Sequence, residues 1–88
     1  MTRLRLLSRP GCGLCDDLRR QVDSMLEEIP HTWEIVDVDS DPDLAARFGD
    51  SIPVLYVGGR LFAKTRLPPI APRLRLLRAA RRRGAEGL

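Results

Sequence analysis

The chain contains two cysteines, Cys12 and Cys15, in the segment C-G-L-C. An apolar run ends at S-R-P-G just before them and residues with helical spacing follow, so the pair is predicted to lie where a strand gives way to a helix. Residues three apart on a helix have α-carbons near the roughly 5.5 to 6 Å typical of bridged cysteines. The spacing therefore allows a dithiol that opens and closes with little backbone movement.

Position on the predicted helix distinguishes the two thiols. Cys12 lies at the helix start, where unpaired backbone N–H groups and the positive end of the helix dipole favour a thiolate, so it is the predicted nucleophile. Cys15 lies one turn further on, beside the apolar face, and is predicted to be less exposed and to act as the resolving thiol. Arg9 also favours a thiolate at Cys12, whereas Asp16 and Asp17 disfavour a second negative charge nearby.

Metal binding is the main alternative use of C-x-x-C, because half of a zinc site has the same spacing. Such a site needs four ligands, and only His31 and carboxylates remain to complete it, so no metal is expected. His31 itself is predicted to be a surface turn residue. The acidic run 37–43 resembles a calcium loop, but Pro42 and Phe48 occupy the places of the required glycine and glutamate, which favours helix capping instead.

Length and composition fit one globular domain. The 88 residues are 43% hydrophobic and 31% charged, which predicts a single domain over residues 1–88. No run approaches the roughly 18 consecutive apolar residues of a membrane span. Arginines interrupt the N-terminal leucines, so no signal peptide is expected. Two closely spaced cysteines in a reducing compartment indicate redox or metal chemistry. We therefore expect a cytoplasmic, monomeric protein.

Charge is distributed unevenly along the chain. Residues 1–59 carry six arginines and eleven acidic residues, a net charge of −5, whereas residues 60–88 carry nine basic residues and Glu86 alone, a net charge of +8. A basic C-terminal helix and tail are predicted from about residue 70. They form either a solvated face or a surface that attracts an acidic partner; nucleic acid and membrane are not expected partners.

The apolar pattern predicts seven elements in the order β-α-β-α-β-β-α, an α/β fold with a mixed four-stranded sheet and helices on both faces. The predicted strands are 2–8, 33–38, 53–57 and 60–64, with Gly58-Gly59 as a hairpin turn. A first helix carries its apolar face on Leu14, Leu18, Val22, Met25, Leu26 and Ile29 and stops at Pro30. A second begins at the N-cap Asp41 with Pro42 in its first turn and ends at Gly49. A last helix carries its stripe on Ile70, Leu74 and Leu77.

Three segments together resemble the thioredoxin superfamily and, within it, the glutaredoxin-like proteins. They are L-L-S-R-P-G-C-G-L-C-D-D at the strand-to-helix junction, V-D-V-D-S-D-P-D-L-A-A-R-F-G, and S-I-P-V-L before the hairpin. The resemblance covers almost the whole chain and implies a thioredoxin fold with Cys12 as nucleophile and Cys15 as resolving cysteine. It also implies a cis peptide bond at Ile52-Pro53.

The resemblance further implies a substrate surface around the cysteines, formed by Arg9, Gly13, Leu14, Ile52 and Pro53. Glutathione or a thioredoxin-reductase system is the implied electron donor, with no bound cofactor. Two departures are visible. The family usually has proline and an aromatic residue between its cysteines, and its glutathione site uses a Gly-Gly pair and an acidic residue after the fourth strand. Here residues 64–66 have neither glycine nor acid.

The sequence thus predicts a thiol-disulfide oxidoreductase that reduces protein or low-molecular-weight disulfides. The alternative hypothesis is a non-catalytic thioredoxin-fold binding module, in which the basic C-terminal region recruits an acidic partner. An iron-sulfur scaffold built on Cys12 and external thiols is a third hypothesis.

Overall fold

The computed structural model describes residues 1–82 and contains four strands and three helices in that part of the chain. A single 3-10 turn, Val38–Ser40, follows the second strand. The predicted element order is confirmed. The elements are β1 (Thr2–Ser8), α1 (Gly13–Met25), β2 (His31–Asp37), α2 (Pro42–Phe48), β3 (Val54–Val57), β4 (Arg60–Lys64) and α3 (Pro72–Ala80).

The sheet has the strand order β2-β1-β3-β4. β1 pairs with β2 in parallel, and the α1 crossover makes this possible, whereas β1 with β3 and β3 with β4 are antiparallel. Gly58 and Gly59 form the predicted hairpin turn, with φ values of 57° and 83°. Two consecutive positive φ values match the right-handed twist of the flanking strands, which is why glycine is favoured there.

Two apolar clusters lie on opposite faces of the sheet. On one face, buried residues of β1, β3 and β4 pack with Cys15, Leu18 and Val22 of α1 and with Leu76 and Ala80 of α3, and Trp33 of β2 packs against this cluster. On the other face, Leu7, Val38 and Val54 are covered by side chains of α2. The predicted mixed sheet with helices on both faces is confirmed, and β1, in the middle, contributes to both clusters.

The predicted stripe on the last helix is confirmed only at Leu77, which packs against the cluster that contains Leu76. Ile70 lies before α3 and is 71% exposed, and Leu74 is 49% exposed, whereas Leu76 and Ala80 are fully buried. The apolar residues of this helix fit more than one stripe by spacing alone. The direction in which α3 crosses the sheet decides which one is buried, and that direction is a tertiary property.

The first helix is shorter than predicted. It ends at Met25, with Leu26 as its C-cap, and does not continue to Pro30. Leu18, Val22 and Leu26 are buried as predicted, but Leu14 is 63% exposed. No helix among residues 1–82 is long and apolar enough to cross a membrane.

Candidate functional site

The loop between β1 and α1 places Cys12. After Ser8 the chain turns tightly, with Gly11 at a φ of 78°, a value that glycine adopts without steric cost. The backbone N–H of Cys12 donates to the carbonyl of Arg9 at 3.1 Å and closes the turn. Cys12 therefore lies at the carboxyl end of β1, directly before the first turn of α1.

Cys12 is the N-cap residue of α1. Its backbone is extended, with φ −82° and ψ 101°, and its Sγ accepts a hydrogen bond from the backbone N–H of Cys15 at 3.1 Å. A sulfur atom thus takes the place that the oxygen of serine or aspartate usually occupies at a helix start. A negatively charged sulfur would receive the same hydrogen bond and the favourable end of the helix dipole.

The two cysteines form a disulfide, with their α-carbons 5.3 Å apart. Cys15 is only 2% exposed and belongs to the core cluster of α1 and α3, whereas Cys12 is partly buried and packs against that cluster. The predicted difference in exposure is therefore present. A reagent in solution can reach Cys12 more readily than Cys15.

The segment before β3 lies against the same cluster. The peptide bond between Ile52 and Pro53 is cis, Pro53 is fully buried, and Ile52 packs against both apolar clusters. Thr65 ties this segment to the end of β4, because its N–H donates to the carbonyl of Pro53 at 2.7 Å and its hydroxyl donates to that of Ser51 at 3.1 Å.

Thr65 adopts a left-handed backbone with φ 68°. This conformation is unfavourable for a β-branched residue. Thr65 lies in the segment after β4 where the sequence comparison with glutaredoxin-like proteins led us to expect glycine. This conformation suits glycine, and the two hydrogen bonds to the segment 51–53 help hold the threonine in it.

The Arg9 side chain pairs with a carboxylate in this structure. Its guanidinium donates two hydrogen bonds to Asp39, at 2.7 Å and 3.0 Å. These bonds hold the pKa of Asp39 below its usual range. The pair joins the loop before Cys12 to the 3-10 turn after β2, and Arg9 also lies close to Gly49 at the end of α2. Its charge is thus already partly balanced.

Gly13 and Leu14, the two residues between the cysteines in the chain, face solvent. A Cβ added to Gly13 would meet no atom within 4 Å, and most of the Leu14 side chain is exposed. The region between the cysteines is therefore accessible. Beyond it in α1, Asp17 pairs with Arg20.

A second polar cluster, not predicted from the sequence, lies at the opposite end of the sheet. One carboxylate oxygen of Asp23 accepts hydrogen bonds from the indole N–H of Trp33 at 2.8 Å and from Nε2 of His31 at 2.7 Å. His31 is the first residue of β2, so its prediction as a turn residue is wrong. Nδ1 of the same ring lies 2.7 Å from the carbonyl oxygen of Ile29.

Burial raises the pKa of Asp23. The hydrogen bonds from His31 and Trp33 and the nearby positive charge lower the pKa by more, so it lies below its usual value. His31 pairs in register with Thr2, at the start of β1, whereas Cys12 follows the end of that strand. A seven-residue strand is roughly 20 Å long. This cluster is therefore separate from the cysteines. Within residues 1–82, no group of three His, Cys, Asp or Glu side chains is placed to hold a metal ion.

The strand order, the dithiol at the start of α1 and the proline before β3 together define a thioredoxin-fold protein with a C-x-x-C pair. Residues 3–74 match the family model described as Glutaredoxin-like domain (DUF836). The chain belongs to this family, and it is a glutaredoxin-like member of the thioredoxin superfamily.

Several known proteins are similar to this chain. Uncharacterized proteins of Mycobacterium tuberculosis (Rv0508) and Mycobacterium bovis (Mb0520) are each 33% identical over 63 residues, which is 66% of this chain and 65% of theirs. The chain thus spans slightly less than two thirds of the length of these relatives. The X-ray structure of protein XcR50 from X. campestris is 31% identical, with a TM-score of 0.59 over 88% of this chain and 96% of that one.

Proposed function

We propose that this protein is a dithiol-disulfide oxidoreductase that reduces disulfides through Cys12 and Cys15. The observation that carries the proposal is the difference in position and exposure between the two cysteines. Cys12 is accessible and caps α1 through its sulfur, whereas Cys15 is buried within disulfide distance of it. Reactive cysteines typically lie in such partly exposed positions at helix N-termini, and inert structural cysteines are buried.

The proposed reaction begins with the reduced protein. The Cys12 thiolate attacks one sulfur of a substrate disulfide, the substrate S–S bond breaks, and the other substrate sulfur leaves as a thiolate and takes up a proton. The Cys15 thiol then loses its proton and attacks Sγ of Cys12 in the mixed disulfide, which releases the second substrate thiol. Two electrons pass from the dithiol to the substrate, and the product is the disulfide seen in this structure.

The substrate surface in this proposal consists of Gly13, Leu14, Ile52 and Arg9, with the buried Pro53 setting the backbone that follows Ile52. Leu14 offers an exposed apolar contact next to the cysteines, and the segment 52–53 packs against the cluster that contains Cys15. Arg9 adds a guanidinium, although its bonds to Asp39 leave only part of its donor capacity for a substrate. We therefore propose protein or low-molecular-weight disulfides as substrates. The proposal also includes a monomeric protein that acts in the cytoplasm with no bound cofactor.

Electrons must return to the oxidised pair, and the proposed donor is either glutathione or a thioredoxin-reductase system. The two can be separated by measuring turnover of a small disulfide substrate, bis(2-hydroxyethyl) disulfide, with NADPH and either glutathione plus glutathione reductase or thioredoxin reductase. Catalysed NADPH oxidation with one donor supports the proposal and identifies that donor.

Single-cysteine variants assign the roles. Cys12→Ser should abolish turnover, because the attacking sulfur is lost. Cys15→Ser should accumulate a mixed disulfide at Cys12, visible as a mass increase that a reductant reverses. The variant Arg73→Gln, in the first turn of α3, controls for nonspecific effects. Equal residual turnover in the two cysteine variants contradicts the assignment, and no turnover by the unaltered protein with either donor contradicts the function.

A further inference from the structure

A basic groove runs between β4 and α3. It has a volume of about 320 Å³ and is lined on one side by Arg60, Leu61 and Phe62 of β4. On the other side it is lined by Arg75 and Arg78 of α3 and by Arg82 just after it. The three helix-side arginines are three and four residues apart, so they lie on one face. The groove thus combines four guanidinium groups with exposed apolar surface.

The β4 side of the groove is an open sheet edge. β4 is the last strand in the order β2-β1-β3-β4, and among residues 1–82 its ladder partner is β3, with one isolated bridge between Lys64 at its end and Arg66. The outer edge of such a strand carries N–H and C=O groups that can pair with an added strand. Leu61 is exposed on this edge, so an added strand would also find apolar contact.

The charge of the groove is not balanced within the described chain. None of the four arginines forms an ion pair among residues 1–82, where the ion pairs involve other groups. Arg75 does donate from Nε to the carbonyl of Ile70 at 2.8 Å, which orients its side chain. Arginine binds carboxylates through parallel hydrogen bonds, so a row of guanidinium groups beside a strand edge matches a row of carboxylates.

We propose that this groove binds an acidic, extended segment of a partner protein, which adds to β4 as a fifth strand. Its backbone pairs with the outer edge of β4, acidic side chains on one face reach the arginines of α3, and an apolar side chain contacts Leu61 or Phe62. The open strand edge and the apolar lining favour a peptide over a nucleic acid, which offers neither backbone pairing to a strand nor aliphatic side chains. Neither cysteine lines the groove.

The proposal can be tested with an acetylated, amidated peptide of sequence Glu-Val-Glu-Val-Glu-Val-Glu. Its affinity for the full-length protein is measured by calorimetry at low salt, and amide hydrogen exchange is measured with and without peptide. We expect binding that protects residues 60–64 from exchange. The double variant Arg78→Gln/Arg82→Gln should bind about fivefold more weakly, since two ion pairs are lost.

The matched control is Arg73→Gln/Arg81→Gln, which removes the same charge from the same region but from residues that do not line the groove. It should bind within about twofold of the unaltered protein. Two further peptides carry N-methyl groups on all the glutamates or on all the valines, which keeps the charge and the side chains. The one whose N-methyl groups point toward β4 should bind more weakly.

Three results would overturn the proposal. Equal losses in the two double variants would show a general charge effect, and unchanged binding of both N-methylated peptides would exclude strand addition. Tighter binding of an oligouridylate with the same net charge, with the same sensitivity to the Arg78/Arg82 change, would assign the groove to nucleic acid. The circular dichroism spectrum of each variant confirms that it is folded before binding is compared.

Discussion

Reduction of the Cys12–Cys15 disulfide should produce two thiols of very different reactivity. In the variant Cys15→Ser, Cys12 remains the N-cap of α1, where its sulfur receives the N–H of residue 15 at 3.1 Å. A hydrogen bond to a charged group contributes roughly 1.5 to 3 kcal/mol. Since 1.36 kcal/mol corresponds to a factor of ten, this bond raises the ratio of thiolate to thiol about 10- to 150-fold over that of an unstructured cysteine.

The gain in alkylation rate is smaller than the gain in thiolate. A stabilised thiolate is a weaker nucleophile, with a Brønsted coefficient of about 0.4 to 0.5, so roughly half of the logarithmic gain survives. At pH 6, where an ordinary thiol is far from ionised, iodoacetamide should therefore react with folded Cys15→Ser about 4- to 15-fold faster than with the same variant unfolded in urea. Mass spectrometry of samples quenched over time gives both rates.

The variant Cys12→Ser is the matched control. Its remaining thiol, Cys15, is only 2% exposed in the folded chain, so folding should slow its alkylation, not accelerate it. In urea the two variants should react at similar rates, because neither thiol then has a defined environment. If folding leaves the Cys12 rate unchanged, or if folded Cys12 and Cys15 react equally fast, the reasoning from the helix start is refuted.

Two further predictions concern stability. Because the pKa of Asp23 is depressed in the folded state, its contribution is present above the unfolded pKa of about 4 and is lost as the pH falls through the lower folded value. Asp23→Asn should thus lower both the melting temperature and the free energy of unfolding at pH 7, the latter by less than about 1 kcal/mol because the carboxylate is half exposed. The difference between the variant and the unaltered protein, measured by unfolding followed through the fluorescence of Trp33, should shrink below about pH 4. A difference that grows below that pH contradicts the assignment. Leu76→Ala should cost about 2 to 5 kcal/mol in urea unfolding, whereas Leu74→Ala, on an exposed position of the same helix, should cost less than about 1 kcal/mol; equal costs would contradict the placement of α3.

The features that the sequence predicted correctly depend on local chemistry. The N-cap Asp41 and the proline after it start α2 where expected, and its side chain accepts the N–H of Asp43 at 2.9 Å. The Gly58-Gly59 turn sets the hairpin, and β1 and β4 have the predicted bounds. In each case the residues that decide the structure are neighbours in the chain, so no knowledge of the remaining fold is needed.

The features that the sequence did not predict depend on distant partners. The exposure of Leu14 on α1 and of Leu74 on α3 follows from how these helices cross the sheet, and helical spacing alone does not give that direction. The bonds of Arg9 join it to a residue 30 positions away. The sequence would predict contact between Asp23 and His31 only if the end of α1 were assumed to lie beside the start of β2. The fold places them there, because α1 leads directly into β2.

The two ends of α1 therefore serve different purposes. Its N-terminal end holds Cys12 through backbone bonds, Cys12 N–H to the Arg9 carbonyl and Asp16 N–H to the Cys12 carbonyl. Its C-terminal end is fastened to β2 through Asp23, roughly 15 Å away along the helix axis. We expect a change at Asp23 to remove the contacts with His31 and Trp33 and to leave the hydrogen bond to the Cys12 sulfur in place. Substitutions at Asp23 should consequently change stability without changing the reactivity of Cys12.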